Sequence, residues 1–113
     1  MKTTAMIVAM LCALPMSLAH ADSASDKQTY TARCVKCHGE SGTGTVMLGR
    51  RLGKDKGMLE RRADLQSVFV RHVVRNGIVS MPPLTRVEVT NDELDAILRY
   101  LTRSQTSSTS STP

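Results

Sequence analysis

The sequence predicts a small all-α domain of three to four helices wrapped around one cofactor, and three observations carry that expectation. Apolar residues recur at helical spacing behind capping signals, most clearly Leu94, Ile97, Leu98 and Leu101 after Thr90-Asn91-Asp92-Glu93. No stretch alternates as a strand would, and there is neither an internal repeat nor a second domain. The pentapeptide Cys34-Val35-Lys36-Cys37-His38 is the attachment signature of a covalently bound c-type haem.

On a helical turn, residues three and four apart share a face, so both sulfurs and the His38 imidazole point the same way. Two thioethers from Cys34 and Cys37 to the haem, with His38 as the proximal iron ligand, use all three side chains. Structural zinc, a dithiol redox pair or a plain disulfide would each explain the two cysteines without needing His38. Zinc normally takes four ligands, and beyond these three only His72 offers a further nitrogen downstream of the leader.

Met1-Lys2, the apolar run from Ala5 to Leu14 and the small-residue site Ala19-His20-Ala21 read as a signal peptide over residues 1–21, removed before Asp22. The run is shorter than the roughly twenty residues that span a bilayer and is interrupted by Pro15, so no membrane span is expected in the processed chain. Cys12 leaves with the leader, and the two remaining cysteines are consumed by the haem, which suits an oxidising periplasm. The domain is expected over residues 22–103. At that size an apolar core is marginal by itself. Aromatics are only 3% of the chain, namely Tyr30, Phe69 and Tyr100, so a flat macrocycle would supply missing core. The net charge of +5, lowered by one when Lys2 is removed, is too mild to argue for nucleic-acid binding.

In chain order, Ser25-Asp26-Lys27-Gln28 has capping-box spacing and predicts a helix start running through Tyr30 to the haem motif. From Gly39 to Gly57 the density of glycine predicts an irregular loop around the haem edge. Asp64 is the expected N-cap of a helix whose Leu65, Val68, Phe69 and Val73 would pack on the haem and the neighbouring helices, with Asn76-Gly77 as its stop. The Thr90 capping box opens the last helix, and residues 104–113, nearly all Ser, Thr, Gln and Pro, are expected to be a disordered tail.

The second iron ligand is expected at Met81, in Ile78-Val79-Ser80-Met81-Pro82-Pro83. A soft thioether opposite His38 favours reduced iron and raises the reduction potential, and two following prolines restrict the ligand loop. A gap-filling core methionine is the alternative role. Met47 and Met58 lie in the glycine-rich stretch and His72 on a helix, which makes them poorer ligands. Without Met81 the iron would be open or bis-His, as in a haem protein that binds a small ligand.

This order of capped helix, C-x-x-C-H, glycine-rich loop, helix, Met-Pro-Pro and terminal helix resembles a class I cytochrome c over nearly the whole chain after the leader. Tyr30 and Tyr100 resemble the aromatic positions at which the first and last helices of that fold pack. Residues 42–52 and 74–84 are similar to the small cytochrome subunits of flavocytochromes that oxidise para-alkylphenols, such as p-cresol methylhydroxylase and eugenol hydroxylase. Thr45 stands where the family usually has a proline that helps orient the proximal histidine, and Asp26 where a small glycine often lies at the helix crossing.

The resemblance implies an electron-transfer subunit with one haem c, accepting electrons from a flavin-containing dehydrogenase subunit and passing them to a small copper protein, another cytochrome or an oxidase. A free soluble periplasmic carrier is the alternative. No acid-base pair or nucleophile arrangement points to catalysis by this chain alone. The basic residues Arg50, Arg51, Lys54, Lys56, Arg61 and Arg62 read either as a docking surface for an acidic partner or as a solvated loop.

Overall fold

In the computed structural model, which describes residues 19–109, the chain forms five α-helices and two short 3₁₀ turns. These are α1 (Ala19–Arg33), α2 (Val35–His38), α3 (Thr43–Leu52), the turns Lys54–Lys56 and Leu59–Arg61, α4 (Ser67–Asn76) and α5 (Asn91–Thr109). Among the described residues no sheet is present; the one β-bridge pairs Ile78 with Met81. No helix among them is long and apolar enough to cross a membrane.

The all-α expectation holds, but three local expectations do not. Ser25 is not a helix start: α1 already runs from Ala19, and the Ser25 carbonyl accepts a hydrogen bond from Thr29 Oγ1 at 3.0 Å inside the helix. The leader expected over residues 1–21 otherwise lies outside the described residues. The glycine-rich stretch is not an irregular loop either, since residues 43–52 form α3 with Gly42 and Gly53 at its ends. Asp64 does not cap α4, which begins at Ser67 behind Gln66 without a side-chain cap. Its carboxylate instead accepts two bonds from Arg62, at 2.9 and 2.8 Å, and these hold it near pKa 2. A bidentate guanidinium pair outcompetes the orphan N–H groups of a helix end.

The α5 cap forms as its spacing predicts. Thr90 Oγ1 accepts from the Glu93 N–H at 3.2 Å, and Glu93 Oε2 accepts from the Thr90 N–H at 2.9 Å. That backbone donor, and then Arg33, keep the Glu93 carboxyl below the usual carboxylate range, so the cap weakens only as pH falls through the lowered value. The same T-x-x-E spacing at Thr85 and Glu88 closes a further reciprocal turn ahead of α5. At its other end α5 continues to Thr109, past the domain boundary expected at Arg103.

Leu94, Ile97, Leu98, Tyr100 and Leu101 of α5 supply most of the buried core, completed by Tyr30 of α1, Leu65, Val74 of α4, and Val89. Tyr30 has no exposed surface, and its ring meets that of Tyr100 with centroids 5.1 Å apart, at the separation favoured for tilted aromatic pairs. Two ion pairs join α1 to α5 on either side of this contact: Arg33 with Glu93 at 2.7 Å, and Arg99 with Asp26 through bonds of 3.0 and 2.7 Å. Asp26, in the position where a small glycine often lies at the crossing, is buried beneath that bidentate pair. An ion pair between Arg71 and Asp95 ties α4 to α5.

Because Arg99 is 60% exposed, the Asp26 pair is worth less than a buried charge-assisted one. Asp26→Ala is expected to lower stability by about 1–2 kcal/mol in equilibrium denaturation. A loss within error would show that aromatic packing holds the crossing unaided.

Candidate haem-binding site

The Cys34-to-His38 turn is held to α1 by one hydrogen bond, from the Cys34 N–H to the Tyr30 carbonyl at 2.8 Å. Cys34 then departs from helical geometry, at φ −118 and ψ −32, and the chain restarts as α2 with bonds from Cys37 and His38 N–H to the Cys34 carbonyl at 3.2 and 2.8 Å. One tight turn therefore carries all three predicted side chains. Cys34 is half-buried and packs on the core, whereas Cys37 is exposed. Burial, and secondarily Cys37, push the Cys34 thiol up to about 11, which is the opposite of the lowered pKa of a reactive redox thiolate. No group of three or more His, Cys, Asp or Glu side chains converges among the described residues, so the donor set of a structural zinc is not assembled there.

His38 is held from the side by α3. An added Cβ on Gly44 would sit 2.8 Å from His38 Cε1 and 3.0 Å from Nδ1, so only glycine lets the first turn of α3 lie this close to the imidazole. This approach explains a glycine inside a helix. Burial lowers the His38 pKa and so favours the neutral ring, the form with a free lone pair for a metal. Nδ1 is buried without a hydrogen-bond partner. The Thr45 hydroxyl points elsewhere, toward Met58 Sδ at 3.9 Å.

Met81 lies in a second anchored segment. Gly77 ends α4 at φ 74, and its N–H reaches the Val73 carbonyl at 2.7 Å. Ile78 and Met81 then exchange both backbone bonds, at 3.0 and 2.9 Å, around a two-residue turn in which Val79 adopts φ 52. A β-branched residue in that region costs about 1–2 kcal/mol, so the hairpin persists because its surroundings over-determine it. Nothing in the local sequence signals this conformation, which normally calls for glycine or asparagine.

Met81 is half-buried and, like Cys34, packs on the core. Both predicted halves of the site thus rest on one buried cluster. The rivals are placed less favourably: Met47 is 48% exposed, Met58 accepts from Thr45, and His72 is exposed on α4 beside Asn76, whose Nδ2 lies 3.3 Å from His72 Nδ1.

The surroundings suit a large apolar cofactor. Val46, Met47, Leu52, Phe69, Ile78 and Val79 are all more than two-fifths exposed, an uncommon amount of open apolar surface for so small a domain. The α4 stripe is turned accordingly: Val70 and Val74 face the core, while Val68 and Phe69 are exposed. The Tyr30 hydroxyl joins His38 Nδ1 as a second buried group without a partner. An imidazole kept neutral, two sulfurs on its own turn, a thioether on the same core and uncovered aliphatic walls fit an iron porphyrin attached covalently.

Comparison with known proteins agrees. A family model described as "cytochrome C oxidase, cbb3-type, subunit III" matches residues 21–101, which include every residue of both anchored segments. No curated protein and no solved structure matches the chain.

The close approach at Gly77 gives a direct check of the second segment. A Cβ there would stand 2.6 Å from the Met81 carbonyl oxygen and 2.9 Å from Pro83 N, on a residue already at positive φ. Gly77→Ala is therefore expected to cost about 1–3 kcal/mol in equilibrium denaturation.

Proposed function

Because this chain belongs to the cytochrome c family matched over residues 21–101, and so carries one covalent haem c as an electron carrier, we propose that Cys34 and Cys37 form its thioethers and that His38 and Met81 bind its iron. When bound, the haem supplies reversible one-electron exchange, and the protein sets its potential, exposure and docking. The observation that carries the ligand assignment is that the Cys34–His38 turn and the Met81 hairpin, far apart in sequence, are both packed on the α5 core. In this arrangement Gly44 and burial keep the imidazole neutral and oriented. Met81 offers a soft neutral donor that favours the reduced metal.

The electron donor we propose is the flavin subunit of a periplasmic dehydrogenase acting on para-alkylphenols. Support comes from residues 42–52 and 74–84, the segments similar to cytochrome subunits of such enzymes, and from the leader-like residues 1–21. A free carrier delivering electrons to a copper protein, another cytochrome or a terminal oxidase is the second reading. The description of the matched family as an oxidase subunit favours it.

Either role needs a docking surface, and the ion pairs within the basic stretch favour one part of it. Lys56 and Arg62 pair with Asp64, and Arg61 with Glu40 at 3.7 Å, whereas Arg50, Arg51 and Lys54 are exposed and enter no ion pair among the described residues. They lie on and just after α3, the helix that touches His38 and also exposes Val46 and Met47. A basic rim beside an apolar contact suits an acidic partner, by steering its approach and then excluding water.

Met81→Ala is expected to abolish the methionine-to-iron charge-transfer band and lower the reduction potential; an unchanged spectrum would overturn the ligand assignment. For the partner, the tagged holoprotein is expected to retain a protein with flavin absorbance at low salt, and Arg50→Glu/Arg51→Glu to release it. Retention of no flavoprotein, with rapid exchange with an acidic copper protein instead, would establish the free carrier.

A further inference from the structure

Arg75 occupies the last turn of α4, one residue before Asn76 and Gly77, and its guanidinium lies across the base of the loop that carries Met81. Nη1 is shared among the carbonyl oxygens of Leu84, Thr85 and Val89, at 3.1, 3.2 and 2.9 Å, and Nη2 donates to Asn91 Oδ1 at 3.0 Å. Beside it the Leu84 N–H reaches the Val74 carbonyl at 2.7 Å. Residues 77–84 therefore leave α4 and return to it within one residue of Arg75, closing a neck around the excursion.

The loop needs such a clamp. Pro82 and Pro83 have no N–H to donate, so the chain between Met81 and the neck has no backbone donor with which to hold itself. Val79 at φ 52 adds strain that any opening of the hairpin would relieve. The side-chain acceptor is an amide and the others are backbone carbonyls, so the cation is spent on orienting the main chain. A guanidinium can reach several carbonyls and α5 at once because its donors are fixed in a planar fork; an ammonium cannot.

We propose that Arg75 is a positioning residue that keeps Met81 within reach of the iron by locking the neck of the 77–84 loop to α4 and to the start of α5. This rests on Met81 being the distal ligand. With the clamp in place the loop has one conformation; with it loosened, a fraction of molecules has Met81 swung away, and a competing ligand meets an open iron more often.

The test uses the haem-loaded full chain in the ferric state, titrated with imidazole and heated while charge-transfer absorbance and far-ultraviolet circular dichroism are followed together. For Arg75→Gln, an apparent imidazole affinity about tenfold higher is expected, from the usual worth of a charge-assisted hydrogen bond. The charge-transfer band should also disappear at a lower temperature than the helical signal, whereas a purely structural role would move both together and leave imidazole binding unchanged, which would overturn the proposal. Should Arg75→Gln fail to take up haem, Arg75→Lys keeps the charge without the fork. It is expected to shift imidazole affinity in the same direction by about threefold, and no shift in it would overturn the proposal equally. A native protein without the band, or a Met81→Ala protein that retains it, would remove the ligand assignment itself. A native band that Met81→Ala abolishes, together with wild-type imidazole affinity in the Arg75 variants, would remove only the clamp.

Discussion

The contact of Tyr30 with Tyr100 is the interaction on which the rest of the structure depends. Tyr30 is fully buried in a core built mainly by α5, and its carbonyl accepts the hydrogen bond that begins the Cys34–His38 turn. The aromatic pair and this backbone bond, with Cys34 packed on the same core, therefore help to set the position of the sulfurs and the imidazole relative to α5. The ion pairs Asp26–Arg99 and Arg33–Glu93 flank the aromatic contact and limit sliding of α1 along its partner. Since α1 contributes little apolar surface beyond Tyr30, these polar ties matter more here than they would between two well-packed amphipathic helices.

The segment that carries Met81 is built on different principles. Instead of a helix it uses a hairpin with a left-handed valine, a glycine that meets the Met81 carbonyl almost in contact, and two prolines. Each of these narrows the backbone to a single course, and none of them buries much surface. A loop of this kind is rigid only if its two ends are fixed, because its interior hydrogen bonds are few. Val74 fixes the base through the Leu84 N–H, and Val74 is itself a core residue packed in the same cluster as α5. The two segments thus share a foundation although they are stabilised in unlike ways.

The environment of His38 bears on how such a centre is tuned. A ring nitrogen that donates to a carbonyl becomes a stronger base at the other nitrogen, which favours oxidised iron. Here Nδ1 is buried and unpartnered, and Thr45, in the position of the usual proline, turns toward Met58. If Met81 is the second ligand, as proposed, its soft thioether would likewise favour the reduced metal.

Much of this was legible in the chain itself wherever the deciding interaction lies within a few residues. The C-x-x-C-H spacing specifies one turn, Thr90 and Glu93 specify the start of α5, Asn76-Gly77 ends α4, and Leu94, Ile97, Leu98 and Leu101 mark the buried face. What spacing leaves open is which of several possible partners a residue takes. Gly44 weakens a helix in isolation but is needed because His38 lies against it; Asp64 is a good cap that Arg62 takes first; and Ser25 sits inside a helix that does not begin there. Only the return of the chain from Met81 gives the Arg75 donors their carbonyls. Local hydrogen bonds and periodicity are encoded by spacing, so the chain determined its helices and the chemistry of its donors. Which backbone comes close to which side chain is a property of the packed core, so the tertiary structure alone decided how those donors are held.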